Sequence, residues 1–79
     1  MIFGVQRMKR SDAIALLKDL GGLELIQPSM VFIKQREPDQ YQLCVKGFYD
    51  VEEIREYSQI HNLTVEEDTT KGLLCIFKS

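Results

Sequence analysis

Two cysteines, one histidine and a short acidic run carry most of the chemistry this chain could do. Cys44 and Cys75 sit in separate apolar stretches, neither belongs to a CxxC pair, and His61 is the only histidine. Four soft ligands at zinc spacing are therefore not assembled. Each thiol reads as a free, small hydrophobe in a reducing compartment, with a disulfide between neighbouring strands as the lesser alternative. His61 falls at a helix C-terminus, where an imidazolium complements the helix dipole. The run Glu66-Glu67-Asp68 leads into Asp68-Thr69-Thr70, which lacks the ligand spacing and glycine turn of a calcium loop. Hydrated carboxylates on a hairpin account for it.

No nucleophile, base and orienting group fall together, and no carboxylate pair lies in an apolar setting. Gly21-Gly22 follows a helical pattern, whereas a phosphate loop puts its glycines before the helix. Arg7, Lys9 and Arg10 form a solvated basic lead-in. The expectation is a non-catalytic chain with no catalytic residues, no cofactor and no metal.

Length and composition set the outer bounds. Seventy-nine residues, 44% hydrophobic and 28% charged, make one globular domain over 1–79, with 1–10 as a flexible arm or edge strand. A net charge of -2 exerts no general pull on phosphate, so the balance argues against nucleic acid. No apolar run approaches the roughly 20 residues that cross a bilayer, and the start lacks a signal peptide's apolar core. This predicts a cytoplasmic protein without membrane contact.

The elements that must position these groups are marked unevenly. The best start signal is Asp50, an N-cap with Glu53 three residues on; Tyr49 and Ile54 have the spacing of a hydrophobic staple. Val51, Ile54, Tyr57, Ser58 and His61 share one face of the helix that follows, and Asn62 suits a left-handed stop. Residues 63–66 then alternate as a half-buried strand, and a turn through Gly72 leads to a strand over 73–78. Upstream, Ser11 reads as the N-cap of a helix whose Ala13, Leu16, Leu17 and Leu20 face inward, ended by Gly21-Gly22. Strands are predicted over 23–26, 30–36 and 41–46, with Pro38 in the tight turn between the last two.

A shift of 40 positions lays Ile14 on Ile54, Leu20 on Ile60, Leu23 on Leu63 and Leu25 on Val65. We read a helix-strand-strand pseudo-repeat, with 41–46 as an extra strand between the copies. The fold class is α+β, a two-layer sandwich with two helices on one face of a four- or five-stranded, mostly antiparallel sheet.

Alternation then assigns the two faces. Leu43, Val45, Leu63, Val65, Leu73, Cys75 and Phe77 are expected under the helices. The reverse face is expected to expose Ile26, Met30, Phe32, Leu74 and Ile76, rimmed by Lys34, Arg36, Lys46 and Lys78. Apolar patches with polar rims mark interaction sites. These nine residues are the candidate interaction surface, and the expected function is a small binding domain that forms a homodimer or docks a protein partner. A small RNA- or DNA-binding domain using the basic rim is the alternative, and Phe32 is the one aromatic ring it has on that face.

Overall fold

The Asp50 signal is answered by a helix. The Asp50 side chain accepts a hydrogen bond of 3.1 Å from the Glu53 N–H, and α2 runs Val51–Ile60. It stops at Asn62, whose φ of 57° places it in the left-handed region. The computed structural model describes residues 7–47 and 50–78; the expected strand in the first five residues and the Tyr49 staple lie outside them. The chain orders as α1 (Arg10–Gly22), a 3-10 turn (Pro28–Met30), β1 (Val31–Glu37), β2 (Gln40–Lys46), α2, β3 (Leu63–Asp68) and β4 (Leu73–Lys78).

Among the described residues, two helices and a four-stranded antiparallel sheet make an α+β fold, with strand order β1-β2-β4-β3. Helix α1 lies over β1 and β2, and α2 lies over β3. Between helices and sheet, Leu16, Leu20, Leu43, Val45, Ile54, Leu74 and Ile76 form one buried cluster.

The start of α1 differs from its expected cap. Lys9 takes the N-cap position, Ser11 lies within the first turn, and the Asp12 carboxylate accepts the Lys9 N–H at 3.0 Å. The reason lies in β2. Met8 is 1% exposed, its N–H donates to the Gln40 side chain, and its carbonyl accepts the Tyr41 N–H at 2.8 Å. The lead-in at 7–10 is therefore anchored rather than free, and Arg7 pairs with Glu37 and, at 3.4 Å, with Asp39.

The strand expected over 23–26 does not form. Helix α1 runs through Gly22, and the Leu25 N–H closes back on the Leu20 carbonyl at 3.0 Å while the Glu24 N–H closes on Gly21 at 3.1 Å. This is a Schellman closure with Glu24 at φ 60° in the position glycine normally holds. Those backbone groups cap a helix and are not offered to a sheet, and Ile26 drops into the core at 5% exposure.

The helix-strand-strand unit does occur twice, as α1-β1-β2 and α2-β3-β4. Its alignment changes, because β2 is the second strand of the first unit and not an extra one. The second strands carry Leu43-Cys44-Val45 and Leu74-Cys75-Ile76, and they meet antiparallel at the middle of the sheet with Cys44 opposite Cys75.

Candidate functional site

Register decides which side chains share the face away from the helices. In antiparallel strands, residues directly opposite point to the same side. Leu43 opposes Ile76 and Val45 opposes Leu74, so all four enter the core. That leaves Leu73, Cys75 and Phe77 on the reverse face. The expectation for β4 is therefore inverted by one residue. Every position from Leu73 to Phe77 is apolar, so β4 has no alternation of its own and takes its phase from β2.

Of the nine expected surface residues, Met30, Phe32, Lys34, Arg36 and Lys46 lie together on the β1 side of the sheet. Met30 is 41% and Phe32 37% exposed, and the Lys46 ammonium stands 5.4 Å from the Phe32 ring centre. Ile26, Leu74 and Ile76 are corrected to core residues. Lys78 is corrected to the helix side, where its ammonium lies 3.5 Å from Asp12 at the start of α1.

Arg36 ties this face together. From edge strand β1 it donates to Gln42 of β2 at 3.1 Å, lies 3.9 Å over the Phe77 ring of β4, and pairs through two nitrogens with Glu66 of β3 at 3.2 and 3.1 Å. One guanidinium thus reaches a side chain on each of the other three strands. Its planar fork suits both the carboxylate and the ring. Sequence reasoning placed Arg36 on a rim; its partners come from residues 6 to 41 positions away, which no local pattern signals.

Beneath this clasp lie the two thiols. Cys44 is 0% and Cys75 9% exposed, with sulfurs 3.1 Å apart. Burial pushes the Cys44 thiol up to about 12, reinforced by the hydrogen bond and charge of Cys75 and opposed by Lys34 and Arg36. Cys75 also lines a shallow concavity of about 440 Å³, walled by Arg36, Glu66, Asp68, Lys71 and Leu73. The repeated Leu-Cys-aliphatic tripeptide was the signal in the sequence that both cysteines hold equivalent places.

On the opposite layer, a groove between the helices holds Asp19, Tyr57 and His61. The Tyr57 hydroxyl donates to Asp19 at 3.4 Å, and the His61 ring lies 4.2 Å from the Tyr57 ring. Burial, and then the Asp19 carboxylate, raises the Tyr57 pKa. Among the described residues, no three His, Cys, Asp or Glu side chains converge on a metal position, and no helix is long and apolar enough to cross a membrane.

These features define a small two-layer α+β domain with a clasped reverse face. Comparison with protein-family models, curated proteins and solved structures finds no match to the chain.

Proposed function

We propose that the chain is a non-catalytic interaction domain whose partner is a second copy of itself, joined along β1. The observation that carries this reading is the exposed apolar pair at the open β1 edge, where Met30 is 41% and Phe32 37% exposed while Val31 and Ile33 pack on the core. Both edge strands begin apolar and end charged, but Leu63 and Val65 of β3 pack on the core and leave no such pair outside, and its Glu66-Glu67-Asp68 end discourages an edge from pairing. Among the described residues no strand pairs with the outer side of β1.

An antiparallel register centred on Ile33 sets Phe32 of one copy opposite Lys34 of the other, an aromatic-cation pair. It also keeps the contact within residues 31–35, ending where the strand becomes irregular between Gln35 and Glu37. The interaction therefore rests on the β1 corner rather than on the whole reverse face, since Ile26, Leu74 and Ile76 are committed to the core. A phosphate backbone laid on that face would meet Glu66 and Asp68 as well as Lys34, Arg36 and Lys46, so nucleic acid ranks second.

The test is sedimentation of the purified chain against Phe32→Glu, a change at an exposed position. We expect a wild-type dimer and a folded monomeric variant, with matching circular dichroism. A wild-type chain that stays monomeric up to about 1 mM overturns the proposal, because an edge-strand dimer of useful affinity populates well below that.

A further inference from the structure

We propose that Cys44 and Cys75 are a modification site: a dithiol that closes to an intramolecular disulfide by exchange with a low-molecular-weight disulfide, and reopens with a small thiol. Three observations carry it. The residues are direct Cα partners across the central β2/β4 pair. Such partners stand roughly 4.5–5.5 Å apart at Cα, inside the span a disulfide bridges. Their sulfurs are 3.1 Å apart, both are free, and the same register puts them on the same face.

Access sets the order of events. Both cysteines are buried, but Cys75, at 9% exposure, lines the concavity beside Arg36 and is the less covered sulfur, whereas Cys44 is fully covered. The Cys75 thiolate attacks one sulfur of RSSR, forming a Cys75 mixed disulfide and expelling RS⁻. The Cys44 thiolate then attacks the Cys75 sulfur, forming the intramolecular bond and expelling the second RS⁻. The two protons released by the protein thiols end on the two leaving thiolates, so two protein thiols and RSSR give one disulfide and two RSH.

The second step is set by proximity: the Cys44 sulfur already lies 3.1 Å from the sulfur it attacks, on the directly opposite residue. Burial still holds the Cys44 thiol high, opposed by Lys34 and Arg36, while the charge of a Cys75 thiolate no longer adds to it once Cys75 is in a mixed disulfide. Full cover of Cys44 also prevents the dead end in which both cysteines carry adducts. The product links the two helix-hairpin units at the centre of the sheet. It does not involve the β1 edge, so it stands whether or not the chain dimerises.

The experiment incubates the folded chain in mixtures of oxidised and reduced glutathione, then quenches with acid and reads intact mass, alkylation and thermal stability. Wild type is expected to lose two hydrogens without change in oligomeric state, and its Tm to rise by roughly 10 °C through closure of the long loop, reverting with dithiothreitol. Cys44→Ser is expected to stop at one glutathione adduct, on Cys75. Cys75→Ser is expected to stay unmodified while folded. Wild type that keeps both thiols at every ratio until denaturant is added overturns the site. Accumulation of the mixed disulfide in wild type as in Cys44→Ser, or modification of Cys75→Ser as fast as of Cys44→Ser, overturns it equally.

Discussion

Glu24 holds a position that its side chain does not favour. A residue with a Cβ at φ 60° carries a cost of about 1–2 kcal/mol that glycine avoids, and Glu24 is exposed. Glu24→Gly is therefore expected to stabilise the fold by about 1 kcal/mol, read as a rise in Tm of roughly 4–8 °C by calorimetry. An unchanged or lower Tm would show that the Schellman closure is not the conformation of this segment. The same position explains why the sequence misleads here. Leu23-Glu24-Leu25-Ile26 alternates well enough for a strand, and Gly21-Gly22 looks like the natural stop. The backbone instead spends its N–H groups on the helix carbonyls one turn back, and a local pattern cannot tell these two uses apart. Gly21 has its own reason to be small, since an added Cβ there would come within 3.3 Å of the Pro28 ring. The buried Ser58 hydroxyl lacks a hydrogen-bond partner among the described residues, and nothing in its surroundings gives it a role.

Between elements, Arg36 is the side chain that joins strands which are not neighbours. Strands β1 and β3 are opposite edges of the sheet, yet the Arg36 and Glu66 pair spans the reverse face between them. The pair is partly exposed and contributes modestly by itself; the ring contact with Phe77 and the bond to Gln42 add to it. Arg36→Ala is expected to cost about 1–2 kcal/mol in urea unfolding and to speed alkylation of Cys75, because the clasp that covers the ring and the thiols is gone. Stability lost without any change in alkylation rate would separate the clasp from the thiols. Strand β1 itself was legible, with Val31 and Ile33 turned inward and Phe32, Lys34 and Arg36 outward as alternation requires. So were β2 and β3. Strand β4 was not, since five consecutive apolar residues allow either face, and pairing with β2 makes the choice.

At the scale of the whole molecule, the chain closes on itself where α1 begins and β4 ends. Asp12 accepts the Lys9 N–H and faces the Lys78 ammonium; the backbone hydrogen bond first, and the lysine second, lower its pKa below the usual 3.8, with burial opposing them. A carboxyl held low in the folded state stabilises it above the unfolded value and loses that contribution as pH falls through the folded one. The stability gap between wild type and Asp12→Asn is therefore expected to be constant above about pH 5 and to shrink below pH 3.8, as checked by denaturant melts across that range. A gap that persists at the acid end would mean that the carboxylate charge is not what holds the corner.

By itself the sequence determined the elements whose signals are local: the Asp50 cap, the Asn62 stop, the proline and glycine turns, and the inward faces of the three strands that alternate. Those suffice for an α+β sandwich with both helices on one side. Only the tertiary structure decided the phase of β4, the burial of Met8 and Ile26, the reach of Arg36 and the meeting of Cys44 with Cys75. Each of these depends on which residue stands opposite which across a gap of many positions, and the free energy that selects the partner comes from burial and pairing between distant segments.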